Sequence, residues 1–431
     1  MTGQEAIAKI ESYHHFRSHP GLEGIRALME RIGNPQEKLR CVHVAGTNGK
    51  GTTCTLIASV LRKAGFRTGL YLSPHVSDFR ERMQIDGNLI PPEDLAGLTE
   101  RVLPAAESIT AHGVPVTEFE LVTAIAMLWF AERGCDVAVL EVGLGGRFDA
   151  TNVITRPLVS VIASISLDHT QILGDTLEKI AFEKCGIIKE GCPSVCYPDE
   201  PPEALAVIRH AARARHSALT EASGIHLKVL KSDLSGTEIE SPEGRLFLPF
   251  LGEHQVKNAA AALAALRVLR ENGWKIGRGD IAAGFSAARL PARLEVLSQT
   301  PPILLDGAHN PEGTAALASA IRRYLSGKKV VAVMGMMADK DVRKAVKNLA
   351  GVFSQVIAAA PVSARALSAD RLADLWNQAG TPARAAANIS DALVQAFSLL
   401  EPDGALIVCG SLYVAGDARN LLLDRLGRPR I

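Results

Sequence analysis

The 431 residues lead to the expectation of an α/β protein. Three features carry it. Short, nearly continuous apolar runs alternate with segments whose apolar residues recur three and four apart. Apolar side chains make up 47% of the chain, enough for sizeable cores. The chain is also too long for one compact core, so two or more domains are expected. Strands that are apolar at every position and separated by helices belong to a mostly parallel sheet with helices on both faces.

The elements follow in order. EAIAKIESY (5–13) and GLEGIRALMERIG (21–33) have helical spacing within a helical first forty residues, and Gly33-Asn34-Pro35 closes the second. CVHVAG, Cys41 to Gly46, is β-rich and ends in glycine, and GTTCTLIASVLRKAG is a helix that Gly65 can end. RTGLYLS, DVAVLEVG and LVSVIASISLDH read as further strands, with helical text such as FELVTAIAMLWFAERG between several of them. From about Pro198 to Glu253 the runs shorten and turn residues multiply, which predicts a small antiparallel excursion. Helix resumes at NAAAALAALRVLRENG. LPARLEVLSQTPP then separates two halves with prolines at both ends. Beyond it ILLDGAHN, KKVVAVMGMM, QVIAAA and ALIVCGS alternate with helices, enough for a smaller second α/β unit.

Composition narrows the function classes. With 47 basic and 46 acidic residues the net charge is +1, so no overall field attracts nucleic acid or a membrane surface, and the partners expected are small molecules. Neutral charge also points to a monomer. Seven cysteines form no disulfide framework, and Cys192 and Cys196 have no second pair at zinc-site spacing, so a reducing compartment is expected. The N-terminal stretch lacks a basic start followed by an apolar core, and no window nears eighteen uncharged apolar residues. A cytoplasmic protein is the expectation.

HVAGTNGKGTT, His43 to Thr53, resembles a phosphate cradle with displaced glycines. In the pattern G-x-x-x-x-G-K-[ST], Val44 stands at the first glycine and Gly51 at the hydroxyl. The physics survives the mismatch. A strand runs into Gly46, Thr47, Asn48, Gly49, Lys50 and Gly51, and a helix starts at about Thr52. Backbone amides of such a turn point at an anion, Lys50 adds a charge that can reach terminal phosphates, and Thr52 or Thr53 can cap the helix or approach a metal. The first unit is therefore P-loop-type.

A ligand site in an open α/β sheet lies outside the carboxyl ends of its strands. GLYLS ends at Ser73, VAVLE at Glu141, and SVIASISLDH at Asp168 and His169. If these strands are parallel, a hydroxyl, carboxylates and an imidazole gather beside the loop. Glu141 with Ser73 and phosphate oxygens suits magnesium, though Glu141 suits a buried ion pair equally well. His169, an unusual magnesium ligand, reads from its residue type as a capping or core histidine. EVGLGGRFDATN is glycine-dense but has no clear helix after it, which leaves a flexible connection or a loop that meets substrate closely.

In order along the chain stand HVAGTNGKGTT, SPHVSDFRERMQIDG, TEFELVTA, LEVGLGGRFDATNVI, SLDHTQILGDTLEKIAFEKCGIIKEG, LDGAHNPEG and VCGSLY. Together, from about Gly33 to Tyr413, they resemble the folylpolyglutamate synthase and dihydrofolate synthase family, relatives of the Mur ligases. The resemblance implies an ATP-binding unit over 1–294, a linker at 295–302 that serves as hinge, and a Rossmann-like glutamate-ligase unit over 303–431. It implies an ATP-dependent amide ligase that adds L-glutamate to reduced folates, and dihydropteroate as a further substrate, through an acyl phosphate.

Position by position, the resemblance makes Gly46 to Thr52 the phosphate-binding residues. Ser73, Glu141 and His169 match magnesium ligands, which reverses the residue-type reading of His169. Lys184 in FEKCGI matches a lysine carried as a carbamate, a ligand for a second magnesium; by type alone it reads as a surface helix residue. Asn258, Arg293 and Asp306 match nucleotide contacts. Phe119, Glu120, Thr123, Phe148, Asp149 and Ala150 match the pterin side, while Arg82, His309 and Ser411 match carboxylate or glutamate handling. One departure is Cys185, where alanine is common. Two rivals stand beside this reading: a Mur-type ligase acting on a uridine-linked precursor, against which TEFE and SPH speak, and a regulatory nucleotide switch, for which no N-K-x-D or T-K-x-D element occurs.

Overall fold

The structure, a computed structural model, describes residues 1–13 and 21–429. Part of the expected N-terminal helical text, 14–20, lies outside the described residues. Eight strands form the first sheet: β1 (Cys41–Ala45), β2 (Thr68–Tyr71), β3 (Met83–Ile85), β4 (Asn88–Leu89), β5 (Val137–Glu141), β6 (Val159–Ile162), β7 (Ser194–Cys196) and β8 (Leu219–Glu221). Their order is β4-β3-β2-β5-β1-β6-β7-β8. Only the β3 and β4 edge is antiparallel.

The two faces of this sheet divide the apolar side chains as strand alternation requires. Cys41, Ala138 and Leu140 join the core under the helices Gly3–Glu11, Glu23–Arg31, Pro92–Ala111 and Glu118–Glu132. Val42, Val44, Val137 and Val139 join the opposite core, with the helices Lys50–Lys63, Glu253–Glu271 and Arg278–Ala287. Lys50–Lys63 is buried from Gly51 through Leu61, because the latter two helices cover its outer side. That continuous burial explains why its text shows so little amphipathic periodicity.

A second sheet has the order β12-β13-β17-β14-β15-β16. Its strands are β12 (Glu295–Gln299), β13 (Pro302–Leu305), β14 (Val330–Met334), β15 (Gln355–Ala358), β16 (Ala383–Ala385) and β17 (Ala405–Cys409). All but β12 run parallel. Between the sheets in sequence lies an antiparallel ribbon of β9 (Lys228–Asp233), β10 (Gly236–Ser241) and β11 (Gly244–Leu248).

Several expectations need correction. The excursion placed at about 198–253 is shorter: 202–214 form a helix, and β8 extends the first sheet in parallel. PEALAVIRHAARA carries helical spacing that the turn residues around it masked. Residues 295–302 are not a free linker, since β12 pairs with β13 as a hairpin of the second sheet. The apolar alternation of LEVLSQ makes it a strand despite the prolines on either side. Neither Thr52 nor Thr53 caps the helix, which begins at Lys50 after Gly49 in the left-handed region (φ 83°). Among the described residues no helix is long and apolar enough to cross a membrane.

The two units also touch away from the sheets. A Cβ on Gly416, in the helix Leu412–Arg425, would lie 1.8 Å from the carbonyl oxygen of Val76. Val76 belongs to the loop that carries Ser73 and Arg82, so glycine is what allows that loop and helix to meet.

Candidate active site

The site begins with register. Val44 of β1 pairs with Glu141 of β5, and Ala45 with Ile162 of β6. Because β1, β2, β5 and β6 are parallel, their carboxyl ends and the groups beyond them open onto one edge. Gly46 follows at φ 155°, where a Cβ would come within 2.7 Å of Ala163. A Cβ on Gly49 would lie 2.2 Å from Oδ1 of Asn258, so that asparagine rests directly against the turn. Thr47 pins the loop to the segment after β6: its N–H donates to the Ser164 carbonyl at 2.7 Å and its Oγ1 to that of Ser166 at 3.1 Å.

Two lysines converge on the loop. Lys50 Nζ donates to the carbonyl oxygens of Gly46 (3.1 Å) and Thr47 (3.2 Å). Lys184, the last residue of the helix Leu177–Lys184, donates through Nζ to Gly46 at 2.7 Å. It is 4% exposed, not the surface residue its type suggested. Burial, reinforced by the charge of Lys50, pushes its ammonium down to about 7.

Glu141 is buried, and its Oε2 accepts the backbone N–H of Ser73 at 3.1 Å. Burial pushes its carboxyl up, against the pull of Lys50. The Ser73 hydroxyl is buried without a hydrogen-bond partner. His169 takes a left-handed backbone (φ 50°) ahead of the short helix Thr170–Leu173. Ser73, Glu141, His169 and Lys184 line one cavity with Gly46–Thr52, and Asn258 borders it. Among the described residues no three His, Cys, Asp or Glu side chains meet as a metal-binding group. On the side formed by the first sheet, the acidic and imidazole groups include Glu141, Asp168 and His169, beside a hydroxyl and a lysine.

The opposite wall comes from the second unit and the crossing to it, with Arg293, Asp306, His309, Asn310 and Glu312. Asp306 is held by backbone amides of Leu294 (2.9 Å) and Ala308 (2.8 Å); burial raises its carboxyl while Arg293 pulls the other way. His309 places Nδ1 2.8 Å from the Gly307 carbonyl, and burial, then the charge of Lys340, lowers its imidazole to about 4. Ser411 caps the helix Leu412–Arg425, its Oγ accepting from the Tyr413 amide at 3.1 Å.

The pterin-side candidates are elsewhere: none of Phe119, Glu120, Thr123, Phe148, Asp149 or Ala150 lines this cavity, nor does Arg82. Glu120 turns inward, taking the Ile25 amide at 2.9 Å and the Thr117 amide at 2.8 Å. Thr123 is fully buried, donating to the Phe119 carbonyl and lying 3.0 Å from the Tyr71 hydroxyl. Phe119 packs its ring against Gly143, which does line the cavity. Ala150 is buried, whereas Phe148 is exposed beneath the guanidinium of Arg147, 4.3 Å from its ring. Arg82 donates to His75 Nδ1 at 3.0 Å and lies 3.8 Å from Glu118.

Asp149 also faces its own loop. It accepts from the amides of Leu144 (2.9 Å) and Thr151 (3.0 Å) and from the Thr151 hydroxyl, which in turn meets the buried His43. Asp149→Asn would set an amide donor among these donors. The expected cost is about 1–3 kcal/mol of stability, seen as a lowered melting temperature, with a higher KM for the folate substrate as loop 143–151 loosens.

Sequence reasoning missed the residues that join the walls. Asn310 donates to Asn48 and Asp168, and Asn48 donates to Glu312. Lys340 donates to Asp168. Burial raises the Asp168 carboxyl, but hydrogen bonds from Lys340 and Asn310 outweigh it and hold the group well below the usual range. Asn310 and Glu312 sit in the quoted LDGAHNPEG; Lys340, a lysine in a polar loop, carried no signal.

Comparison with known proteins agrees with this geometry. Residues 44–266 match the Mur ligase middle domain and 292–412 the Mur ligase glutamate ligase domain. Folylpolyglutamate synthase of Lacticaseibacillus casei is 36% identical, covering 98% of this chain and 99% of its own. Dihydrofolate synthase/folylpolyglutamate synthase of Bacillus subtilis is 36% identical over 97% and 99%. Among solved structures, Mycobacterium tuberculosis folylpolyglutamate synthase complexed with ADP superposes with a TM-score of 0.90 at 31% identity, covering 100% and 99%. Escherichia coli FolC in complex with DHPP and ADP gives 0.87 at 30%, covering 99% of both chains. Fold and site thus define an ATP-dependent ligase of the Mur ligase type. Within that class, the chain belongs to the folylpolyglutamate synthase and dihydrofolate synthase family.

Proposed function

We propose that this ligase joins the amine of L-glutamate to a carboxylate of reduced folates, and of dihydropteroate, with ATP supplying the activating phosphoryl group. One observation carries the reading: the glycine turn with Lys50, the Ser73, Glu141 and Lys184 set, and the Asp306 and His309 wall face a single cavity between the two units. In this division the unit to about residue 294 binds ATP, and 303–431 handles glutamate. Relatives bound to ADP support the nucleotide.

A carboxylate is a poor acylating agent, so activation is mainly a matter of position and charge. Backbone amides at the start of the helix Lys50–Lys63 cradle the phosphates, and Lys50 swings from the Gly46 and Thr47 carbonyls to the transferring group. Asn258, Arg293 and Asp306 hold the nucleotide. The folate carboxylate attacks the γ-phosphorus and ADP leaves; the glutamate amine then attacks the acyl carbon, loses a proton, and phosphate leaves. His309, neutral at pH 7, is placed to orient glutamate from the second unit.

The residues also fit magnesium. The Ser73 hydroxyl is buried and unpartnered, Glu141 is a hard oxygen donor, and His169 opens on the same space. Ser73, Glu141 and His169 would hold one magnesium ion and a carbamate on Lys184 a second, and magnesium so held would supply neutralisation of the phosphate charge. In this reading the enzyme works as a cytoplasmic monomer. Mass analysis of products after incubation with ATP, glutamate and either dihydropteroate or tetrahydrofolate tests the assignment. Both substrates are expected to gain the mass of glutamate, and no gain on either would overturn it.

A further inference from the structure

We propose that Asp168, Lys340 and Asn310 form a latch that holds the second unit over the phosphate loop and keeps water from the acyl phosphate, a proposal that rests on the ligase reading above. Asp168 stands beyond β6 of the first sheet. Its Oδ1 accepts from Lys340 Nζ at 2.7 Å, and its Oδ2 from Asn310 Nδ2 at 3.0 Å. These donors lie 172 and 142 residues further along the chain, after β14 and β13 of the second sheet. A single carboxylate therefore ties two loops of one unit to the other.

Asn310 extends the tie to the reaction's own machinery. The same amide nitrogen donates to Asn48 Oδ1 in the phosphate loop at 3.0 Å. Its Oδ1 accepts from the Gly313 amide at 2.8 Å, which caps the helix Pro311–Tyr324. The cap fixes the side chain's orientation, since a flipped amide would face donor to donor. Movement of the second unit is thereby felt at the phosphate loop and at His169, the neighbour of Asp168.

The pair is also shielded. The side chains of Asp168 and Lys340 are 10% and 12% exposed. Removing one member of such a pair strands the other's charge, unlike loss of a surface ion pair. The latch acts through position, and neither residue is assigned a contact with substrate.

The chemistry says what it protects. If water attacks the acyl carbon in place of the amine, phosphate leaves and the carboxylate is regenerated, so ATP is hydrolysed with no amide formed. A seam that opens admits that water.

Full-length wild type, Lys340→Met and Lys340→Arg are compared with ATP, tetrahydrofolate and glutamate, measuring phosphate release and glutamate incorporation together. The expected result is about one phosphate per amide in wild type, a ratio raised severalfold in Lys340→Met, and most of the coupling restored in Lys340→Arg. An unchanged ratio in Lys340→Met overturns the latch, whether both rates fall or neither moves. A wild type inactive on these substrates counts against the ligase reading instead. Small-angle scattering without substrate then reads the latch alone: a larger radius of gyration in Lys340→Met supports it, and equal radii overturn it.

Discussion

Lys50→Ala is expected to lower turnover on the order of a thousandfold while leaving the melting temperature within a few degrees of wild type. The two effects separate because of where Lys50 lies. Its Nζ rests on the Gly46 and Thr47 carbonyls at the edge of the cavity, so its loss removes two hydrogen bonds that water can replace. In the reaction the same charge sits on a transferring phosphoryl group, where several kcal/mol depend on it. Steady-state kinetics with the release of ADP as readout, beside a melting curve, checks both halves. Retained turnover in a folded variant would make the loop a structural connection.

Lys184→Met is expected to behave differently again. Methionine fills similar space without the cost of burying an ammonium, so the melting temperature should hold or rise. Turnover should fall by roughly two to three powers of ten, because the site beside Gly46 would lose the carbamate ligand proposed above. With its ammonium pushed down to about 7, a large share of Lys184 is neutral at physiological pH. A neutral amine adds to carbon dioxide: the N–C bond forms, a C=O electron pair moves to oxygen, and the proton leaves to solvent. The neutral fraction grows as pH rises through 7, so carbamate formation should grow with it. Carbon-13 NMR of enzyme equilibrated with labelled bicarbonate should show one carbamate carbonyl that Lys184→Met lacks; identical spectra would remove the modification.

Much of the candidate site was legible in the text because parallel strands impose a simple rule. Once DVAVLEVG and LVSVIASISLDH were read as buried strands beside CVHVAG, the residues ending them had to share an edge with the glycine turn. That is how Glu141, Ser73 and His169 could be grouped from three distant places. The rule names an edge, not an orientation. Glu120, Thr123 and Asp149 belong to motifs that carry the family resemblance, yet their polar atoms are turned to Ile25, Phe119 and Thr151. Local sequence does not say which way a buried polar group faces.

The chain's own text established the alternation of strand and helix, the glycine turn after β1, and the two-unit plan, all of which depend on neighbours within a few residues. It did not establish that Lys184 is buried, that 295–299 join the second sheet, or that Asp168 meets Lys340. Those facts depend on which distant surfaces are pressed together. Burial and pairing across a seam arise from the packing of whole elements, and no short window of residues contains that information.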